Sequence, residues 1–395
     1  MKLKFAFFLL ITLGIVLVTP SFSFGEESKS IETNFYFIKS EEVYSGSSPL
    51  LLANSGLVLF AGERDSGRIL RSSLKDDNFT LVGQIPSPTE INHPDNKLLD
   101  MIIVANKLYA VSGNGSYKAN GCGSVDIYEF SIANPLALTT GRQIFKSTPC
   151  VIGDTGGHVW TARLASDGKN LFVAGGNWLV DWQLGTYPWS GFTSLPKNSI
   201  NLPSSNFYGN VVAIDLRTMS AKPIAKGLRN LGGLYFDPDL KILFNTDNGT
   251  RGGDELNVIK KSANYGWPHV TLGLPYGPEV DKGAKVNTQK GFRGPIFSWT
   301  PSISPSTIGK IRGGEFKKYW LGDLIIGSLK DKALHRIRLG ENLNVLYDEK
   351  IKIGHRIRSH VIMSNGKIAL GTDDGKILLV SALQKNVTGS TPEQG

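Results

Sequence analysis

Six short stretches along the chain share one hydrophobic pattern. Each begins with a continuous apolar run, passes through a turn of glycine, aspartate or asparagine, and continues with a second run rich in β-branched residues. The first runs begin at Gly56-Leu57, Lys107-Leu108, Asn170-Leu171, Lys241-Ile242, Asp323-Leu324 and Lys367-Ile368. Short apolar runs bounded by turn residues indicate buried strands, so each copy predicts a β-hairpin.

The partner strands of these hairpins are predicted at 68–70, 125–128, 211–214, 255–259, 333–337 and 376–380. Successive copies begin about 44 to 82 residues apart, and helical periodicity is scarce. A small sheet cannot bury both of its faces until neighbouring sheets cover them, so this repetition is typical of a β-propeller. We therefore predict an all-β chain with a six-bladed β-propeller; a β-sandwich or two β domains is the alternative.

The two ends of the chain bear on how the ring closes. A strand from one end has to complete the blade at the other, and Thr33–Phe37 is the candidate strand. No serine-rich or charged linker divides the chain, so residues 26–383 are predicted to form one propeller domain. Residues 384–395 are polar and are predicted to form a flexible C-terminal tail.

Residues 1–25 are predicted to be a signal peptide that is removed. Lys2 and Lys4 precede an uncharged stretch from Phe5 to Val18, and small residues follow up to Gly25. The apolar run is shorter than the roughly 20 residues needed to cross a bilayer, which disfavours the alternative of an uncleaved anchor. We expect a periplasmic or secreted protein with no membrane span in the mature chain.

Composition and the predicted export exclude several classes of protein. The chain has 395 residues with 45 glycines and 19 prolines, which excludes a coiled coil or a helical repeat array. The formal net charge of +9 is spread without a dense basic run, so nucleic acid is not an expected partner. In an exported protein the only cysteines, Cys122 and Cys150, predict a disulfide; two buried free thiols are the alternative. The sequence carries no signal for an oligomeric state.

The loop from Gly227 to Pro268 holds the densest candidate chemistry. It offers the carboxylates of Asp247, Asp254 and Glu255 among glycines that can turn backbone carbonyls inward. Calcium takes six to eight such oxygen ligands, whereas 6 histidines and 2 cysteines give little support for zinc, copper or haem. A glycine-aspartate turn is also common in plain hairpins, so both interpretations stay open.

The same loop resembles the soluble quinoprotein sugar dehydrogenases, the glucose/sorbosone dehydrogenase family. Arg-Asn at 229–230, Gly-Gly-Asp-Glu-Leu-Asn at 252–257 and Asn-Tyr-Gly-Trp-Pro at 264–268 follow the family's order. Downstream, Trp-Thr-Pro-Ser-Ile-Ser-Pro-Ser from Trp299, Gly-Ser-Leu-Lys ending at Lys330 and the Arg-x-Arg of 356–358 are similar as well. The resemblance covers roughly residues 150–380.

The resemblance implies a six-bladed propeller that uses pyrroloquinoline quinone (PQQ) and calcium. Such enzymes oxidise the anomeric hydroxyl of an aldose or related sugar to a lactone and pass the electrons to an external acceptor, a cytochrome or a quinone. The implied cofactor-binding residues are Arg229, Asn230, Trp299, Lys330, Arg356 and Arg358. The carbonyls of Gly249 and Thr250 would hold the ion bound to the cofactor, and Glu255 and Tyr265 a second ion.

His158 is the implied catalytic base, and here the sequence departs from the family. The family reads His-x-Gly-Gly-Arg-Leu, whereas this chain reads His-Val-Trp-Thr-Ala-Arg-Leu from His158 to Leu164. His158 is one residue too far from Arg163, and both glycines are replaced. An alternative is therefore a catalytically lapsed propeller that binds a glycan or a protein. A lactonase-type hydrolase is a third alternative, although it would need more carboxylates around the axis.

Overall fold

The computed structural model describes residues 28–73, 78–86, 97–114, 122–134, 137–138, 140–148, 151–152, 161–176, 207–267, 269–274, 285–286 and 288–383. Six antiparallel sheets of four or five strands dominate these residues. The predicted all-β, six-bladed β-propeller is therefore confirmed. The predicted signal peptide (1–25) and tail (384–395) lie outside the described residues.

The first three blades follow one another along the chain. Blade 1 consists of β3 (Leu50–Ser55), β4 (Val58–Glu63), β5 (Arg68–Ser73) and β6 (Thr80–Gln84). Blade 2 consists of β7 (Lys97–Val104), β8 (Lys107–Asn114), β9 (Cys122–Ser131) and β10 (Arg142–Lys146), with β11 (Val151–Ile152) paired to β9. Blade 3 consists of β12 (Ala162–Ser166), β13 (Asn170–Gly175), β14 (Asn210–Asp215) and β15 (Ala221–Lys226), with β19 (Ala263–Asn264) added in parallel.

The last three blades complete the ring. Blade 4 consists of β16 (Leu231–Asp237), β17 (Ile242–Asp247), β18 (Asp254–Ile259) and β22 (Phe297–Trp299). Blade 5 consists of β23 (Pro305–Lys310), β24 (Leu324–Ser328), β25 (Ala333–Leu339) and β26 (Val345–Lys352). Blade 6 consists of β27 (Ile357–Ile362), β28 (Ile368–Thr372), β29 (Lys376–Leu383), β2 (Phe37–Ser45) and β1 (Ser28–Glu32). Outside the blades lie a two-stranded pair, β20 (Val270–Thr271) with β21 (Lys285–Val286), a 3-10 turn (Gly314–Phe316) and a four-residue helix, α1 (Lys317–Trp320).

The hairpins predicted from the sequence are the second and third strands of each blade. Every residue of β24 and of β18 is buried, whereas the outer strand β26 alternates between buried and exposed positions. The middle strands are covered on both faces by neighbouring blades, which explains their continuous apolar runs.

The core is a ring of six clusters, each shared by two adjacent blades. Leu51 of blade 1 packs with Leu98 of blade 2 in one cluster, and Leu50 packs with Ile377 of blade 6 in another. The other four clusters join blades 2 and 3, 3 and 4, 4 and 5, and 5 and 6. Burial between blades thus continues around the described ring without a break.

The ring closes through the N-terminal segment, but of the predicted strand Thr33–Phe37 only Phe37 belongs to the closing strand. Strand β2 pairs antiparallel with β29 from Phe37↔Leu383 to Ser45↔Lys376 and so completes blade 6. Thr33 and Tyr36 instead form a turn closed by the Thr33 N–H to Tyr36 O bond of 2.8 Å. The Tyr36 ring packs edge-on against Trp320, with ring centroids 5.5 Å apart, and anchors this turn to blade 5.

Candidate functional site

The candidate residues gather on one face of the propeller, called here the loop face. The innermost strand of each blade begins at this face, and the loop between the second and third strands returns to it. In blades 1, 4, 5 and 6 those loops are 64–67, 248–253, 329–332 and 373–375. Antiparallel pairing within each blade therefore brings residues far apart in sequence to a common surface around the axis.

A cavity of about 570 Å³ opens on the loop face between blades 4 and 5, and is called here the loop-face cavity. It is lined by Arg229, Asn230, Asn248, Gly249, Thr250, Arg251, Gly252, Asp254, Thr300, Pro301, Ser302, Ser304 and Lys330. Five of the predicted site residues line it: Arg229, Asn230, Gly249, Thr250 and Lys330. Its volume falls in the range typical of small-molecule sites.

Two buried aspartates fix the walls of this cavity. Asp254 accepts hydrogen bonds from the backbone N–H groups of Gly249, Ile303 and Ser304 at 2.7–3.0 Å and from the Ser302 hydroxyl at 3.0 Å. These contacts join the loop of blade 4 to the segment that leads into blade 5. Burial raises the pKa of Asp254.

Asp247 holds the backbone that leads into β16 in the same way. Its two oxygens accept the backbone N–H groups of Arg229 at 2.8 Å and Asn230 at 2.6 Å. Burial raises its pKa to about 6. Asp247 and Asp254, which the sequence offered as candidate calcium ligands, thus act as acceptors for the backbone of the cavity wall.

Glycine is required at one turn of this loop. Gly253 has a φ of +70°, and a Cβ atom there would lie 2.5 Å from the backbone nitrogen of Gly273. Both the conformation and the close approach exclude a side chain at this position.

Arg229 is buried, and its guanidinium faces the loop that follows β17. Its Nη1 donates to the carbonyl oxygens of Asn248 at 2.8 Å and Gly249 at 2.7 Å, and the guanidinium lies 5.3 Å from the Trp267 ring centroid. The sequence led us to expect Arg229 at the cofactor and the Gly249 carbonyl at a calcium ion. The structure joins these two groups to each other.

Lys330 is an exposed cation at the rim of the cavity. Its backbone N–H donates to Ile303 O at 3.1 Å, which holds it beside the blade 5 entry. Among the described residues no carboxylate pairs with its ammonium group. Lys330 is therefore available to an anion in the cavity.

Arg356 and Arg358 lie beside the cavity rather than on its described wall. Arg356 Nε donates to Asp373 Oδ2 at 2.8 Å and Arg358 Nε to Asp373 Oδ1 at 2.7 Å. Although burial opposes it, the Arg358 guanidinium helps to hold the pKa of Asp373 below its ordinary value. Arg356 also contacts the carbonyl of Leu329 at 3.4 Å, one residue before Lys330.

Two predicted aromatic site residues lie in the core. Trp299 is 5% exposed, and its indole N–H donates to Asp348 at 2.8 Å, away from the cavity. Tyr265 is 3% exposed, and its hydroxyl donates to Val258 O at 2.6 Å. A metal-ligand role for Tyr265 would therefore have to use its backbone carbonyl.

A second, much smaller cavity of about 20 Å³ lies behind Arg229. Its lining includes Glu255, Asp247, Tyr265 and Gln289. Glu255 accepts from Asn257 Nδ2 at 3.0 Å and from Gln289 Nε2 at 3.1 Å, and burial followed by the Asp247 charge raises its pKa to about 8. The space suits a single ion or water molecule among oxygen atoms.

Some predicted residues lie outside the described part of the chain. His158 is one, so its placement as a base stays a prediction. Cys150 and the Cys122 side chain are others, although the backbone of β11 places Ile152 opposite Cys122. Among the described residues, no group of three or more His, Cys, Asp or Glu side chains is arranged to hold a metal, and no helix is long and apolar enough to cross a membrane.

The structure also brings in two arginines to which the sequence reasoning gave no role. Arg64 directly follows β4 on the loop face, and Arg163 is the second residue of β12. Comparing the residue that directly follows the second strand in all six repeats would have pointed to Arg64, because Asn248 and Asp373 occupy this position in blades 4 and 6.

Comparisons with known proteins agree with this geometry. The family model described as Glucose / Sorbosone dehydrogenase matches residues 207–380. The chain is 33% identical over 162 residues to aldose sugar dehydrogenase YliI from Escherichia coli, covering 39% of this chain and 42% of that protein. It is 26% identical over 197 residues to quinoprotein glucose dehydrogenase B from Acinetobacter calcoaceticus, covering 36% and 40%. The chain thus spans less than half the length of the curated relatives it matches.

Solved structures show the same fold over most of the chain. The apo form of the soluble aldose sugar dehydrogenase from Escherichia coli aligns with a TM-score of 0.71 at 20% identity, covering 88% of this chain and all of that one. The PQQ-bound aldose sugar dehydrogenase from Streptomyces coelicolor aligns with a TM-score of 0.62 at 20% identity, covering 91% and 98%. The family match covers less than half of the chain, but its residues 207–380 include every residue that lines the loop-face cavity, so in this part the chain is similar to the glucose/sorbosone dehydrogenase family.

Proposed function

We propose that this protein is an exported, PQQ- and calcium-dependent dehydrogenase that oxidises the anomeric hydroxyl of an aldose or related sugar to a lactone. The observation that carries the proposal is the loop-face cavity, which gathers Arg229, Asn230 and Lys330 within the family match. An external acceptor, a cytochrome or a quinone, would take the electrons. The segment from Lys2 to Gly25 supports export to the periplasm or beyond.

The described residues fit a planar, polyanionic cofactor. PQQ carries three carboxylates, and the cavity offers the Lys330 ammonium together with the Asn230 amide and the hydroxyl groups of Ser302 and Ser304. Arg356 and Arg358 stand beside it, and arginine binds carboxylates in a bidentate manner. We propose that Lys330, Arg356 and Arg358 hold the carboxylates and that Arg229 stays near the quinone edge.

The residues also fit calcium at two places. In the small cavity, Glu255 supplies a buried carboxylate, and the Gln289 side-chain oxygen has no hydrogen-bond donor among the described residues. In the loop-face cavity, the carbonyls of Gly249 and Thr250 are the proposed ligands. An ion there would share the Gly249 oxygen with Arg229. Backbone carbonyls and waters would complete each ligand set.

The chain's own residues would position the sugar and manage its proton. PQQ, when bound, supplies a two-electron oxidant beside the substrate carbon. His158 is the proposed base that takes the proton of the anomeric hydroxyl. Lys330 and the arginines neutralise carboxylates, and Asp247 and Asp254 keep the surrounding backbone in place.

A titration of the signal-free protein with PQQ in calcium buffer tests the proposal. We expect binding to saturate at one equivalent of PQQ, as measured by the change in cofactor absorbance. Lys330→Gln should weaken binding about tenfold, whereas Lys241→Gln, on the opposite face of the propeller, should leave it unchanged. No PQQ binding by the wild-type protein would refute the proposal, and binding without sugar oxidation would favour the catalytically lapsed alternative.

A further inference from the structure

Arg64 occupies a site-facing position in blade 1. It directly follows β4, as Asn248 follows β17 in blade 4 and Asp373 follows β28 in blade 6. Its backbone N–H donates to Pro49 O at 2.8 Å, and its carbonyl accepts the N–H of Leu98 of blade 2 at 2.8 Å. Since blade 1 lies across the six-bladed ring from blade 4, Arg64 sits on the loop face opposite Arg229.

The Arg64 side chain is a partly buried cation that pairs directly with no described carboxylate, although Asp65 and Asp373 lie near enough to act on it. Among the described residues it makes no ion pair and no side-chain hydrogen bond. Burial, followed by the neighbouring Arg358 guanidinium, lowers its pKa to about 10, and Arg163 acts in the same direction. Hydrogen bonds place the three arginines close together: Arg64 bonds the backbone of Pro49 and Leu98, Arg163 Nη1 bonds Leu99 O at 3.0 Å, and Ser359, next to Arg358, bonds Leu50 O at 2.8 Å.

Arg163 is similarly under-satisfied. It is 6% exposed, its Nη1 donates to Leu99 O at 3.0 Å, and the same atom lies 3.8 Å from Asp100 Oδ1. Its Nε–H is buried and has no acceptor among the described residues. Buried donors are almost always paired in folded proteins, so this N–H points to an absent acceptor.

The carboxylates around this group do not balance its charge. Asp373 is shared by Arg356 and Arg358, and Asp100 faces Arg163 at a distance. Arg64 adds a further positive charge and the exposed Asp65 beside it a further negative one, so four guanidinium groups face three carboxylates. Like charges gathered in a partly desolvated space destabilise the empty protein and attract an anion.

We propose that Arg64, Arg163 and Arg358, from blades 1, 3 and 6, form an anion subsite on the loop face and that it binds a carboxylate group. Guanidinium groups recognise carboxylates through paired N–H donors. The choice of a carboxylate rests on the proposed function, which offers two sources: the cofactor and the carboxylate of an acidic sugar. The presence of an anion subsite does not depend on that function.

Citrate binding to the cofactor-free protein tests the subsite alone. We expect citrate to raise the melting temperature of the wild-type protein, with an affinity about tenfold weaker in Arg64→Gln. Arg68→Gln is the matched control, since Arg68 is exposed, lies four residues away and pairs with Glu63 at 3.7 Å. Without ligand, Arg64→Gln should melt no lower than wild type, because one repelling charge is removed. Arg64→Lys keeps the charge and should recover part of the affinity.

Two further titrations identify the source of the carboxylate. If the cofactor supplies it, Arg64→Gln weakens PQQ binding while Arg68→Gln does not. If the substrate supplies it, PQQ binding is unchanged and the loaded wild-type enzyme prefers glucuronate over glucose, a preference that Arg64→Gln loses. Failure of wild-type PQQ binding with an intact citrate result removes the proposed function but keeps the subsite. Equal affinities of wild type and Arg64→Gln for citrate, PQQ and glucuronate overturn the inference.

Discussion

Asp254 Oδ2 accepts the backbone N–H of Ser304 at 2.7 Å, and this bond holds two walls of the loop-face cavity against each other. Ser304 has a positive φ of 55°, which its side chain alone would not favour. The buried carboxylate therefore stabilises a backbone shape that the cavity requires.

Asp254→Ala should be strongly destabilising. It leaves the N–H groups of Gly249, Ile303 and Ser304 without their acceptor in a buried place. We expect the free energy of unfolding to fall by roughly 3–5 kcal/mol in urea denaturation. Asp239→Ala, which breaks an exposed pair with Arg312, should cost less than about 1 kcal/mol. A loss for Asp254→Ala as small as that of the control would show that the carboxylate does not organise the loops.

Substitution of Arg336 should destabilise the fold more than substitution at most other positions of blade 5. Its fully buried guanidinium lies 2.6 Å from both Asp323 and Glu349, and Glu349 also accepts the backbone N–H of Asn34 at 2.6 Å. Arg336→Met would leave the buried Glu349 carboxylate without a cationic partner, whereas Asp323 would keep its pair with Arg338 at 2.7 Å. We expect a loss of about 3–5 kcal/mol in the free energy of unfolding. Arg312→Met serves as the exposed control. Equal unfolding midpoints for the two variants would contradict this account of the closure.

The buried side chain of His360 should make the folded protein less stable at acidic pH. Burial lowers its pKa from 6.5 to about 4, so between these values the unfolded chain binds a proton that the folded chain does not. The free energy of unfolding is therefore unaffected by His360 above about pH 6.5. As the pH falls from 6.5 towards 4, it decreases by an amount on the order of 3 kcal/mol. Denaturation of wild type and His360→Gln across pH 4–7 should show a shallower dependence in the variant. Parallel curves would mean that His360 does not titrate in this way.

Removal of calcium should lower the stability of the folded protein, because the proposed ion in the small cavity is lost. A ligand at 100 times its Kd stabilises the folded state by about 2.7 kcal/mol. We expect the melting temperature of the wild-type protein to rise when calcium replaces chelator. Glu255→Gln should lose most of this rise, whereas the exposed Glu341→Gln should retain it. A calcium response in Glu255→Gln equal to that of wild type would place the stabilising ion elsewhere.

The sequence predicted the hairpins better than the inner strands, and the packing explains why. Strand β24 is buried along its whole length, so its apolar run is unmistakable. Strand β16 instead contains Gly232 and Gly233 and lies in the segment from Gly227 to Pro268 that the sequence predicts as a loop. A Cβ atom on Gly232 would lie 1.9 Å from Pro305 O, because inner strands crowd together near the axis. Close packing there removes the side chains on which pattern recognition depends.

Prediction of the site was uneven for a similar reason. Motif resemblance located Arg229, Gly249 and Lys330, which do share a cavity. It could not show that Trp299 turns its indole to Asp348, because the direction of a side chain depends on the neighbouring blade. Arg64 was missed because the resemblance begins near residue 150, so only the closed ring places it opposite Arg229.

Sugar-dependent turnover tests the central claim most directly. The protein would be loaded with PQQ and calcium, and the reduction of an artificial electron acceptor would be followed with a panel of aldoses. We predict a rate that saturates at one equivalent of PQQ and that falls at least about 100-fold in His158→Ala while PQQ affinity is unchanged. Bound PQQ with no aldose-dependent rate above that of His158→Ala would contradict the assignment of this protein as a sugar dehydrogenase.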